Sequence, residues 1–446
     1  MVKSVEMEAM SETLGQDMHD FIRGLFPICR SLTGRGTRET LSVIRQHLPD
    51  LTIHEVPSGT QVFDWVVPDE WNITSARLID PSGKKIIDFA DNNLHVVGYS
   101  EPVNQRIDLA DLQNHLYSLP DQPDAIPYVT SYYKRRWGFC LTDHERQKLQ
   151  PGIYDVQIDS TLEPGRLTYG EFVLPGESSE EVFISTYVCH PSMANNELSG
   201  PAVATWLAKW LSQAQRKFTY RLVFIPETIG SICYISKNLD ALRKNVVAGF
   251  NISCVGDDRC YSFLPSRNGN TISDRVAVHA LKYHAPDYVT YSFLDRGSDE
   301  RQYCSPGVDL PIASIMRSKY GCYPEYHTSL DDLDLVTPSG LYGAYSVLRR
   351  ALELIDANAV WRATTLCEPQ LGKRGLYPTV STARGAYSLR GMMNLLAYAD
   401  GTRDLIELAD VIGENAYECL SILDNLERHG LVERVEKSQA DSERFA

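Results

Sequence analysis

At 446 residues the chain is longer than one hydrophobic core can serve, and about 100–200 residues per domain predicts two to four domains. A hydrophobic fraction of 43% with 23% charged residues excludes disorder as the overall state, and a net charge of −15 argues against nucleic acid as a partner. No run approaches the ~18 apolar residues that span a bilayer, and the acidic start, with Glu6, Glu8, Glu12 and Asp17, lacks the order of a signal peptide, so a cytoplasmic protein without a membrane partner is expected.

The first stretch of the chain has no strong pattern, and Met18 to Ile28 and Arg38 to Leu48 then show helical spacing. Between them Cys29 to Gly36 is a polar glycine turn. It reads either as a helix–helix connection or as a carboxylate- or phosphate-binding loop built on Arg30. From Leu51 to Asp159 short alternating runs separated by Pro, Gly, Asn and Asp predict a β-rich module. Its aromatic residues Tyr128, Tyr132, Tyr133, Trp137 and Phe139 fit either a core or a ligand platform. The ten cysteines form no C-x-x-C pair and read as buried reduced thiols.

Strand and helix alternate from about 165 to 360. Strands are expected at Glu181 to Val188, Tyr220 to Ile225, Val247 to Val255 and Pro311 to Met316, and helices at Pro201 to Leu211, Ser231 to Asn245, Asp274 to His284 and Leu341 to Ala357. That alternation predicts an α/β fold with a mostly parallel mixed sheet and helices on both faces, whose ligands sit beyond the carboxyl ends of the strands. After a turn near Gly375 to Pro378, helical patterns at Arg390 to Ala399, Asp404 to Val411 and Ala416 to His429 precede a strand at Leu431 to Val435, the outline of a winged helix-turn-helix. Asp400 to Glu436 holds ten acids against three arginines, a net of −7, so this module is expected to pack on the rest of the chain or to mediate self-association into a homo-oligomer.

Three segments carry chemistry. In Tyr187 to Pro201 a strand ends at His190, and a polar loop with Asn196 and Glu197 leads through Ser199-Gly200 into a helix. In Val223 to Ser231 the next strand ends in Glu227, placed to take a proton from metal-bound water. In Tyr323 to Asp332 a third strand is followed by Tyr326 and His327, with Asp331 four residues on as a partner that would fix the His327 tautomer. Neutral imidazole and carboxylate are the ligands of a catalytic zinc. Arg267, Arg296, Asp299 and Arg301 lie in turns that such a fold aims at its cleft, and with Tyr326 they are the candidate substrate-binding groups; the four charges also read as solvated loop residues that pair with one another.

These segments resemble the leucine-aminopeptidase-like zinc exopeptidases. More closely, Cys189 to Gly200, Pro226 to Ser231, Gly297 to Gln302 and Glu325 to Ser329 resemble a bacterial aminopeptidase-like group associated with polysaccharide biosynthesis. The resemblance implies a catalytic part at 1–56 and 164–362, an inserted β-rich domain at 57–163 and a winged helix at 366–440. It makes His190 and His327 metal ligands and Glu227 the general base. Three anionic ligands of the two-zinc enzymes fall at Asn196, Thr228 and Ser253, and the carboxylate that orients their first histidine falls at Ser192. We therefore expect a single Zn2+ held by His190, Glu197 and His327, with Asn196 or Asp299 in reserve. The implied activity is hydrolysis of an amide bond in a small peptide, aminoacyl or N-acyl-sugar substrate; the rival is a scaffold that has lost catalysis and binds a ligand or partner.

Overall fold

Eight strands build the sheet that carries the site in the computed structural model, which describes residues 2–376 and 383–435, with side chains for 12–376 and 389–435. They are β1 (Thr52–Pro57), β2 (Arg166–Leu174), β3 (Glu181–Tyr187), β4 (Thr219–Ile225), β5 (Val246–Asn251), β6 (Ser262–Leu264), β7 (Val289–Thr290) and β8 (Ile312–Met316). Their spatial order is β1-β2-β4-β3-β5-β8-β6-β7. The central strands β4, β3, β5 and β8 are parallel, while β2 runs antiparallel to β4 and β6 to β8. This is the mixed α/β sheet that the strand–helix alternation predicts.

Every residue of β3 is buried, as a strand covered on both faces requires. Its one charge, Glu181, is met by Arg221 of β4, which donates from Nε and Nη2 at 2.6 and 2.8 Å. The helix Ser199–Leu211 buries every residue but Lys209. Gly200 at its start is a packing requirement, since a Cβ there would lie 2.4 Å from Thr186 Oγ1 and 2.5 Å from Ile252 O. The first helix runs Val2–Leu25 and so begins well before Met18. Its early residues include good helix formers without a clean apolar stripe, and periodicity alone misses them.

Between β1 and β2 the chain forms a four-stranded antiparallel sheet in the order Lys85–Asp88, Glu70–Ile79, Ile153–Glu163, Val103–Asp108. Trp71, Leu78, Tyr99, Phe139 and Tyr154 from this stretch share one core with Phe183, Val223 and Ile225 of the main sheet.

The chain divides into two compact units, 1–271 with 287–346, and 272–286 with 347–446. In the second, the strands Asp400–Asp404, Val360–Ala363 and Val432–Val435 form an antiparallel sheet beside the helices Ala383–Tyr398, Leu405–Ile412 and Ala416–Arg428. The central strand of that sheet lies before the expected boundary at 366. The helix Ile272–His284, expected as part of the α/β layer, also belongs to this unit. Its Arg275 donates to both oxygens of Asp404 at 3.0 and 2.6 Å, and its His279 Nε2 accepts from Ala416 N at 2.9 Å. Tyr377, Pro378 and Glu436, with the rest of the expected domain to 440, lie outside the described residues.

The ten cysteines are all free, but Cys322 and Cys367 are exposed, not buried. Among the described residues no helix is long and apolar enough to cross a membrane.

Candidate active site

β3 ends at Tyr187 and Pro191 ends the extended run, which leaves His190 at the carboxyl edge of the sheet, 3% exposed. Its Nδ1 lies 2.9 Å from Glu197 Oε2, and its Nε2 lies 3.7 Å from Glu227 Oε2. Burial, reinforced by the charge of Arg30, pulls the imidazole down to about 3. The ring is therefore neutral, Nδ1–H donates to Glu197, and Nε2 presents its lone pair on the Glu227 side. Glu197 sits on a wide π-type turn, Ala194–Leu198, that runs straight into the next helix.

Arg30 is completely buried. Its Nε donates to His190 O at 3.0 Å and stands 3.6 Å from Glu197 Oε1, while Nη1 donates to Leu25 O at 2.7 Å. Burial pushes the Glu197 carboxyl up to about 8, and Arg30 opposes that shift. The Cys29 to Gly36 turn is thus a helix–helix connection; the anion-loop reading is corrected, because its arginine is engaged internally. Glu197, expected as the third zinc ligand, has Oε2 on the Nδ1 side of His190, where it fixes the tautomer that Ser192 does not, while its Oε1 has no hydrogen-bond partner among the described residues.

Glu227 lies just beyond β4, the neighbour of β3, and its N–H donates to Cys189 Sγ at 3.2 Å, tying the two strand ends together. Its side chain keeps 20% exposure, so this edge of the site meets solvent. Burial and then the nearby Asp299 push its carboxyl upward. Asp299 is completely buried and accepts from Thr228 N and Ser231 Oγ at 2.7 and 2.8 Å through Oδ1, which anchors the start of the helix Ile229–Asn245. Arg301 Nη2 donates to Thr228 Oγ1 at 2.6 Å. A cation thus stands where the two-zinc pattern would place a second carboxylate.

His327 sits in the loop after β8 with a positive φ of 57°, a left-handed backbone state uncommon outside glycine. Its ring centroid is 5.4 Å from that of His190, and Tyr326 stacks on it at 3.9 Å. Burial, then His190, pulls it down to about 3. The expectation that Asp331 orients His327 is corrected. The Asp331 carboxylate accepts from Asn195 N at 2.5 Å, Asn196 N at 2.9 Å and Tyr323 OH at 2.9 Å, so it braces the turn that carries Glu197. Asn196 donates from its amide to Tyr187 OH at 2.9 Å.

Of the expected binding groups, Asp299, Arg301 and Tyr326 border this site. Arg267 and Arg296 make their contacts elsewhere. Arg267 pairs with Asp309 at the surface, and Arg296 is exposed and lies over the ring of Phe293 in its own loop. Tyr128 was not anticipated at the site. Its ring centroid lies 5.2 Å from those of both His190 and His327. A tyrosine-rich stretch was the only signal for it in the sequence, and nothing there links that stretch to His327.

Among the described residues, the group of three whose ligand atoms all lie within 4.8 Å is Cys189, His190 and Glu197. Glu197 there also faces His190 Nδ1 at 2.9 Å and stands 3.6 Å from Arg30 Nε. On the other side of the ring His190 Nε2 faces Glu227, and among the described residues the buried His327 Nε2, Asn196 Oδ1 and Glu197 Oε1 have no hydrogen-bond partner, which leaves each of them available as a donor to an ion.

Strand ends of a mixed parallel sheet that bring together His190, Glu227 and His327 define an aminopeptidase-like α/β protein, here followed by a winged helix. The chain belongs to the family described as a domain of unknown function, DUF4910, which matches residues 19–358, and residues 359–434 match a winged helix-turn-helix family. It is 44% identical over 401 residues, 90% of this chain and 92% of the relative, to a Clostridium acetobutylicum protein named provisionally for polysaccharide biosynthesis with an aminopeptidase-like domain. A crystal structure from the same organism, named provisionally as a peptidase, matches at a TM-score of 0.90 and 41% identity, covering 98% of this chain and all of that one, 100%. The zinc aminopeptidase BSAP from Bacillus subtilis shares the fold, with a TM-score of 0.58 and 12% identity over 76% of this chain and 95% of that one.

Proposed function

We propose that the chain is a metal-dependent hydrolase of the peptidase type, with one zinc, that cleaves an amide bond in a small peptide, aminoacyl or N-acyl-sugar substrate. One observation carries the reading: Glu197 holds His190 by Nδ1, which turns Nε2 toward Glu227. Relatives named for peptidase activity support it, and the relative named for polysaccharide biosynthesis favours a sugar-linked amide within this class.

His190 and His327 would hold the ion through Nε2, with Asn196 Oδ1 as a neutral oxygen donor. Bound there, zinc supplies Lewis-acid polarisation of the scissile carbonyl and makes a water more acidic. Glu227 accepts the proton of the attacking water at Oε2 and returns it to the leaving amine. A carboxyl raised toward neutrality suits both transfers. Arg301 offers a fork for a carboxylate or phosphate on the substrate.

Assaying the metal-loaded protein against libraries of N-terminal aminoacyl amides and N-acetylated sugars tests the reading. Cleavage of one class, abolished by chelation and restored by zinc, is expected. Turnover of neither class by protein that has bound zinc would favour the ligand-binding scaffold instead.

A further inference from the structure

The segment 122–132 belongs to the stretch between β1 and β2, yet it is bonded to the loop that carries His327. Tyr128 N donates to His327 O at 2.9 Å, Ser329 N donates to Ile126 O at 2.9 Å, and Ile126 N donates to Ser329 Oγ at 3.0 Å. Gln122 Nε2 donates to Pro324 O at 2.9 Å, and Pro127 forms an antiparallel bridge with Thr328. These bonds flank the one residue of that loop that combines an imidazole with a left-handed backbone. The ring of Tyr128 then packs against both histidines from one side, tilted at 56° to His190 and edge-on at 84° to His327, so that the three ring centroids stand 5.2, 5.2 and 5.4 Å apart. Its hydroxyl is 3.3 Å from that of Tyr132.

We infer that Tyr128 is a positioning residue, the lateral brace by which the inserted β segment fixes the His190 and His327 imidazoles relative to each other and holds His327 in its left-handed backbone state. The inference rests on the proposal that these histidines bind a metal. Partners that orient metal-bound histidines are worth about 10–100-fold in metal affinity. An edge-on aromatic contact needs the ring and not the hydroxyl, so phenylalanine should substitute for tyrosine while alanine should not.

The test is cobalt binding by the full-length chain, followed by its visible absorption spectrum and by competition with a chelator. Tyr128→Ala should bind cobalt at least ~10-fold more weakly, with an altered spectrum, and Tyr128→Phe should restore both to near wild type. Ser329→Ala, which removes one bond to the segment and leaves both rings in place, should weaken binding in the same direction but less; it serves also where Tyr128→Ala fails to fold. A folded Tyr128→Ala protein with wild-type affinity and spectrum would overturn the inference alone, as would an unchanged Ser329→Ala if Tyr128→Ala cannot be made. A wild-type chain that takes up no cobalt or zinc would overturn the metal reading and this inference with it.

Discussion

His190 is constrained at three points: its carbonyl by Arg30, its Nδ1 by Glu197, and its Nε2 side by Glu227. Glu197→Ala would leave His190 Nδ1 buried without its partner. A loss of about 1–3 kcal/mol in stability is expected, together with metal affinity lowered ~10–100-fold, read by thermal unfolding and chelator competition. Glu227→Gln should behave differently, with metal content retained and kcat lowered at least ~100-fold. Loss of metal in that variant would make Glu227 a ligand. His190, Glu227 and His327 were legible in the sequence because each follows a strand signal and bears a side chain that strand ends display. The side of the imidazole that Glu197 takes was not legible. A helix starting directly after Glu197 suggested a ligand loop, whereas the wide turn at Ala194–Leu198 and the buried Arg30, 167 positions before Glu197, decide the orientation.

Elements with strong periodicity were legible to within a few residues, as in β4 and the helix Ser199–Leu211. Those defined by distant partners were not. The strand Val360–Ala363 becomes a strand by pairing with Asp400–Asp404 and Val432–Val435, and the helix Ile272–His284 joins the winged helix through Arg275 and His279. Asp404 also caps the helix Leu405–Ile412, with Glu407 completing the capping box. Burial pushes the Asp404 carboxyl up, but the hydrogen bonds and charge of Arg275 outweigh it and hold the group below its ordinary value. A depressed carboxyl contributes stability that is complete above the unfolded value of about 3.9 and is lost as pH falls through the folded value. Arg275→Ala should therefore cost about 1.5–3 kcal/mol at pH 7. Denaturant titrations should show that difference shrinking below about pH 4; a difference that stays constant from pH 7 to pH 3 would speak against the linkage.

The whole molecule joins an aminopeptidase-like unit to a winged helix-turn-helix module, at a net charge of −15. Within the module Arg403 pairs with Asp400, Arg428 donates to Asp424 O, and Arg434 pairs with Asp424 and Glu427. A mobility-shift assay at low salt, where electrostatic binding is strongest, should give no micromolar complex with duplex DNA. A salt-sensitive complex lost on deleting residues 370–446 would reverse this reading. We propose a single metal, held by the His190 and His327 imidazoles. Arg301 against Thr228 and the neutral Asn196 and Ser253 leave a second dication without charge to hold it. Metal quantification of the purified chain and of its His190→Ala and His327→Ala variants measures this most directly. About one zinc per wild-type chain, and clearly less in each variant, is the predicted result; two tightly bound equivalents, none, or one that survives both substitutions would contradict it.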